Sequence, residues 1–141
     1  MTKYTFKYHI VSWLPVVLLC FAIFYVSSYP TAKASTVQWE DFTAHKLAHL
    51  IEYSSLAILT FRALVRSGVS RREASFISVV FVLLFGSSDE IHQRFVFGRE
   101  SRFRDVLIDT FGASLAILGI WKLLPKVPVR LKSWANKLDL L

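Results

Sequence analysis

Between Ser88 and Arg99 the chain reads Ser-Asp-Glu-Ile-His-Gln-Arg-Phe-Val-Phe-Gly-Arg, and Arg102, Arg104, Asp105 and Asp109 follow within ten residues. Carboxylates, an imidazole and guanidinium groups are thus set against long apolar sequence. An ionisable side chain at the centre of a bilayer helix costs about 2.5–3.5 kcal/mol on insertion scales, so such a cluster marks a functional site by default. Asp89, Glu90 and His92 are of the types that give and take protons as general acid or base. Arg99 is of the type that grips phosphate or carboxylate oxygens with two parallel bonds. Upstream, His45, His49 and Glu52 stand at i, i+4 and i+7, which puts them on one helical stripe, with Lys46 and Tyr53 beside it. His49 is therefore a further acid–base candidate.

Each of these residues also has a plainer reading. His49 suits a neutral core histidine held by one hydrogen bond, Asp105 a dipole partner at a helix start, and Arg102 and Arg104 simple contacts with headgroups. Asp89, Glu90 and Asp109 resist such readings. Three carboxylates at one boundary repel one another unless protonated, bound to a cation or paired with Arg94 or Arg99. His45 and His49 have the i, i+4 spacing of zinc-binding helices without the glutamate that follows the first histidine there. His45, His49 and Glu52 are weak metal candidates; a divalent metal is allowed, and no cofactor is required. Ser54, Ser55, Ser87 and Ser88 are nucleophile candidates by proximity alone, since no nucleophile-elbow or phosphate-loop signature occurs.

The elements that must position these groups follow from composition. The chain has 141 residues, 54% of them hydrophobic, and a mean hydropathy of +0.45, with the apolar residues in long blocks. Four blocks reach the roughly 20 residues that a span requires: 10–29, 46–65, 74–93 and 105–124. Short connections force antiparallel neighbours, so the fold class is all-α: a polytopic four-helix transmembrane bundle formed by residues 1–125. Gly112, Ala113, Ala116 and Gly119 read as a packing seam on the fourth span. Residues 126–141 form a basic amphipathic tail, with Leu131, Trp134, Leu138 and Leu141 on one side, expected as a short interfacial helix. Lys3, Lys7, the first apolar run and Ala32-Lys33-Ala34 imitate a cleavable leader, but the run is longer than such leaders carry. The single Cys20 has no disulfide partner in the chain.

The net charge of +7 is explained by topology and anionic headgroups, and nucleic acid is not expected as a partner. Lys3, Lys7, Arg62, Arg66, Arg71, Arg72, Lys122, Lys126, Arg130, Lys132 and Lys137 fall on one side of the four spans, which should be cytoplasmic. Both termini are then inside. The first loop, with Lys33, Glu40 and Asp41, is poor in basic residues and fits the outside. Arg94, Arg99, Arg102 and Arg104 go against the bias, so they are not topology signals.

On these residues the chain resembles the VanZ-like family of small bacterial membrane proteins. The resemblance runs through Lys46, His49 and Tyr53, the Ser88-Asp89-Glu90-x-His92-Gln93-x-Phe95 run with Arg99, and Asp105, Asp109 and Gly112. Two positions depart from the pattern: Phe97 stands where proline is usual and Asp109 where asparagine is usual. The resemblance implies an envelope context, and the family's namesake lowers susceptibility to the glycopeptide teicoplanin. Taken together, Asp89, Glu90, His92 and His49 are expected to carry any chemistry. Lys46, Tyr53, Gln93, Arg99, Asp105 and Asp109 are expected to bind the substrate. Membrane lipids are expected partners, the expected ligand is an anionic lipid-linked envelope molecule, and an oligomer is allowed. The rival readings are a non-catalytic partner of an envelope enzyme and, behind it, a small oligomeric transporter.

Overall fold

The computed structural model describes residues 3–30, 36–99, 101–138 and 140, with the side chains of 3–8, 38, 41 and 130 left aside. The Ala32-Lys33-Ala34 stretch, Leu141 and the side chains of Lys3, Lys7, Asp41 and Arg130 lie outside the described residues. Among the described residues there are five α-helices: α1 (Lys3–Ser27), α2 (Gln38–Arg66), α3 (Arg71–Gln93), α4 (Phe103–Lys122) and α5 (Val129–Lys137), with a 3-10 turn at Leu124–Lys126. Four of these regions are long and apolar enough to cross a membrane: His9–Ser27, Phe42–Arg66, Arg71–Gln93 and Phe103–Lys126. Apolar side chains face outward along all four, among them Phe21, Ile51, Phe76, Leu84 and Phe111. That is the inverse of a soluble protein's surface and the arrangement lipid requires.

The helix ends follow local chemistry where the sequence supplies it. Ser70 opens α3 with a reciprocal cap: its hydroxyl accepts from the Glu73 amide while the Glu73 carboxylate accepts from the Ser70 amide. This starts α3 at Arg71, three residues ahead of the expected 74. The larger difference is in α2, which begins at Gln38 instead of 46. Gln38-Trp39-Glu40-Asp41-Phe42-Thr43-Ala44-His45 is too polar to register as a span, yet it continues the helix on a mostly exposed surface. Val37 precedes it without a side-chain cap, so no boundary signal was present to be read.

α2 packs against α1, α3 and α4, and α3 packs against α4; among the described residues α1 and α4 do not meet. Tyr53, Leu56, Ala57, Phe61 and Ala63 of α2 form the centre, met by Val82 of α3 and Ala113 and Ile117 of α4, with Val16 and Ile23 of α1 at the side. The seam on α4 holds only in part. A β-carbon at Gly112 would collide with Cδ1 of Leu50 and lie 3.2 Å from its Cγ and 3.3 Å from Ser54 Oγ, whereas at Gly119 it would meet nothing. Close approach of α2 and α4 is therefore enforced at one turn, beside the polar residues.

At the opposite end of the bundle, Trp13 donates to Ser67 Oγ at 3.2 Å and Trp121 to Ser75 Oγ at 2.9 Å. The tail is tied to this end. Arg62 Nε donates to the Leu138 carbonyl and Arg71 Nη2 to the Leu140 carbonyl, each at 2.9 Å. Arg71 also lies over the rings of Phe61 and Trp121 at 5.3 and 5.4 Å. Leu131, Trp134 and Leu138 remain exposed on α5, so its apolar stripe is left for lipid while its end is anchored to protein.

Gly112→Ala should lower stability by about 1–3 kcal/mol, the usual cost of overpacking a close contact. Gly119→Ala should be neutral or slightly stabilising, because alanine is the better helix former. Thermal unfolding of the two variants in detergent checks this. Equal stability would mean that the α2–α4 approach is not set at Gly112.

Candidate polar site at one end of the bundle

The up-and-down topology brings the end of α1, the start of α2, the end of α3 and the start of α4 to one end, here called the site end. Its deepest group is Asp89, 1% exposed. Asp89 Oδ2 accepts from Ser27 Oγ of α1 at 2.8 Å, from Tyr53 OH of α2 at 3.2 Å and from Gln93 Nε2, one turn on in α3, at 2.8 Å. Gln93 Nε2 also reaches Ser27 Oγ at 3.3 Å. Glu90 accepts from the Arg102 backbone amide at 2.8 Å, and Ser101 Oγ donates to the Glu90 carbonyl at 2.7 Å. Two adjacent carboxylates are thereby directed apart, one to the helix interior and one to the incoming loop. Among the described residues neither is paired with a guanidinium, contrary to the expectation of an arginine partner. Hydroxyl, amide and backbone N–H donors take that place.

Between α2 and α4 the arrangement is ionic. Lys46 Nζ lies 2.5 Å from Asp105 Oδ2, and one turn deeper His49 Nδ1 lies 3.6 Å from Asp109 Oδ2. The second distance allows an ion pair when the imidazole is protonated and is too long for a hydrogen bond. His49 stacks on Tyr53 with ring centroids 6.1 Å apart, which joins the α4 pair to the Asp89 group. Gly86 of α3 lies directly behind the Tyr53 ring, where a β-carbon would make ordinary contact at 3.5 Å. Four buried atoms in this region have no hydrogen-bond partner: His49 Nδ1 and Oδ1 of Asp89, Asp105 and Asp109. Buried polar atoms are rarely left so, and a cluster of them calls for an explanation.

Arg99 and His92, both expected to face a ligand, are engaged with α1. Arg99 Nε donates to the Tyr29 carbonyl at 2.8 Å and Nη2 to the Val26 carbonyl at 2.7 Å. The two-pronged geometry expected toward an anion is directed at carbonyls around the C-terminus of α1, of which Val26 also accepts from the Tyr29 amide at 3.2 Å. Gly98 makes this possible: its φ of +79° reverses the chain, and a β-carbon there would press on Pro30 Cβ at 3.3 Å. His92 Nε2 is 3.0 Å from Ser28 Oγ, and its ring stacks on Phe24 at 4.1 Å. Sequence reasoning had left α1 out of the site altogether. The signal was Ser27-Ser28, the two hydroxyls that close its apolar run.

His45, His49 and Glu52 do not converge with a third ligand: among the described residues no group of three His, Cys, Asp or Glu side chains is placed to hold a metal ion. Of the serines weighed as nucleophiles, Ser87 donates to the Leu83 carbonyl at 2.7 Å and Ser88 faces outward. Above the buried groups the surface turns cationic and aromatic. Arg94, Arg102 and Arg104 are exposed, and so are Trp39, Phe42, Phe95, Phe97 and Phe103.

The Arg99 geometry makes a prediction. Arg99→Ala removes the side-chain donors from the Tyr29 and Val26 carbonyls, of which Val26 keeps the Tyr29 amide, and should cost about 1–3 kcal/mol, with Arg99→Lys recovering less than half because one ammonium replaces a planar fork. Thermal unfolding in detergent measures it; an unchanged transition in Arg99→Ala would show that this contact does not hold α1.

No curated protein and no solved structure matches the chain. The VanZ/LLP1 family model matches residues 6–125, which takes in all four spans and every residue of the site and stops at the tail. The chain is a member of the VanZ/LLP1 family.

Proposed function

We propose that the site end faces the outside of a bacterial inner membrane and binds, or acts on, the anionic head of a lipid-linked envelope molecule, with both termini in the cytoplasm. The observation that carries this reading is the set of four buried polar atoms without hydrogen-bond partners, beneath a rim of exposed arginines. Structural clusters satisfy the large majority of their members, and among the described residues Thr60 Oγ1 is the one other such atom. A binding or reacting site leaves some to be completed by the ligand or by transferred protons. The layering suits that role. Cations at the rim match a phosphate or carboxylate, and His49 with Asp109 and Asp105 lies beneath, where a proton can be passed to or from a bound group. An altered envelope precursor is one route by which such a protein would change glycopeptide susceptibility.

A second reading has a specific observation in its favour. Arg99, His92, Gln93 and Asp89 all hold the end of α1, as they would in a non-catalytic partner whose polar residues only fasten helices. The two readings diverge at His49, whose Nδ1 makes no hydrogen bond among the described residues and whose contacts are the Asp109 carboxylate at 3.6 Å and the Tyr53 ring. His49→Ala should abolish the change in teicoplanin susceptibility at matched membrane levels while the protein remains folded in detergent. Asp109→Asn should keep most of it, because asparagine is the usual family residue there and still presents an oxygen to His49. Full function in His49→Ala would remove the acid–base site and leave the helix-fastening reading.

A further inference from the structure

The first two turns of α2, absent from the expected span, build a surface of their own. Val37, Trp39, Phe42 and Arg102 line a cleft of about 640 Å³ at the site end. Its three apolar residues are 42%, 68% and 48% exposed. Phe42 carries cations over its ring, Lys46 Nζ at 5.6 Å from the centroid and the Arg104 guanidinium at 5.9 Å. Arg102 also lines the cleft, and its backbone amide donates to Glu90. Apolar side chains therefore stand beside three cationic ones, at the level where the span of α2 begins at Phe42. Headgroup depth is where tryptophan and aromatic rings settle in membrane proteins.

We propose that this cleft is a binding site for an anionic phospholipid, with the phosphate held between Arg102, Arg104 and Lys46 and the upper acyl chain on Trp39, Phe42 and Val37. The inference rests on the reading of the site end as ligand-facing and names how a ligand reaches it. Lys46 belongs to both places, since its ammonium also pairs with Asp105. A phosphate drawn to Lys46 competes with Asp105 and lies one helical turn from His49. Charge complementarity selects the occupant. Three cations favour a lipid with net negative charge over one without it, and the apolar residues add contact with an acyl chain that a free phosphate ion lacks.

The test uses the purified full chain in detergent and native mass spectrometry with added phosphatidylglycerol, phosphatidylcholine or inorganic phosphate. Phosphatidylglycerol should be retained well above phosphatidylcholine. Arg102→Gln and Arg104→Gln should each weaken its retention about five-fold, the contribution of one basic residue near an anionic surface. Trp39→Ser should also weaken it; this residue is 68% exposed, so the variant stays informative if Phe42→Ala does not fold. Equal retention of the two lipids, wild-type retention in the Arg102→Gln, Arg104→Gln double variant, or full displacement by millimolar inorganic phosphate would each overturn the proposal. His49→Ala separates this inference from the functional one. It should bind phosphatidylglycerol like wild type while losing the susceptibility change. Lost lipid selectivity with an intact His49 effect defeats only the cleft, and intact selectivity with no His49 effect defeats only the acid–base site.

Discussion

A single carboxylate oxygen, Oδ2 of Asp89, gathers donors from three helices, and the geometry of the site end depends on it. Burying a carboxylate is costly unless its oxygens are hydrogen-bonded, and three neutral donors, two at 2.8 Å and Tyr53 OH at 3.2 Å, meet Oδ2 with no cationic partner among the described residues. The consequence is positional. Ser27 must be at the end of α1, Tyr53 must cross from α2, and Gln93 must follow one turn later on α3. Tyr53, held there, supports the His49 ring and with it the pair on α4. An ion pair to an arginine would tie α3 to one other element; the shared hydrogen bonds tie it to two, α1 and α2.

The site end thereby divides into two kinds of charge. Asp89, Glu90, Gln93, His92 and Arg99 are directed toward α1 and the α3–α4 loop, with their main bonds made. Lys46, His49, Asp105 and Asp109 lie between α2 and α4, with oxygens and an imidazole nitrogen unpaired. Gly112 lets the two helices approach closely enough to bring those four together. The resemblance to the VanZ-like pattern does not separate these groups, because it runs through both. The first group makes its bonds to α1 and the loop, apart from Oδ1 of Asp89, and the second keeps three buried atoms without a hydrogen-bond partner among the described residues.

The fold was largely legible because bilayer thickness converts apolar run length directly into helix number. Boundaries were less so. The α2 extension over Gln38–His45 is amphipathic, opens at the uncapped Val37 and offers no start signal. The gathering of α2, α3 and α4 ends followed from antiparallel connections alone, so Lys46, His49, Asp89, Asp105 and Asp109 were placed together correctly. The role of Arg99 was not legible: it depends on the reversal at Gly98, and no sequence period encodes which carbonyls a loop arginine will meet. The same holds for Arg62 and Arg71, which read as topological charges and in the structure also bind the carbonyls of the tail. Charge content can be read from sequence; the destination of a long flexible cation is set by tertiary packing.

The central claim is that the α2–α4 charges are there for a ligand and not for the fold. Lys46 and Asp105 test it most directly, because replacing both partners of a buried pair with apolar residues of similar size is often neutral or stabilising, unlike removal of one. The measurement is thermal stability in detergent alongside teicoplanin susceptibility, for the Lys46→Met, Asp105→Leu double variant at matched membrane levels. The expected result is a transition within about 1 kcal/mol of wild type or above it, together with loss of the proposed effect on susceptibility. A stable double variant that retains the full change would contradict the claim and make these charges a fastening between helices.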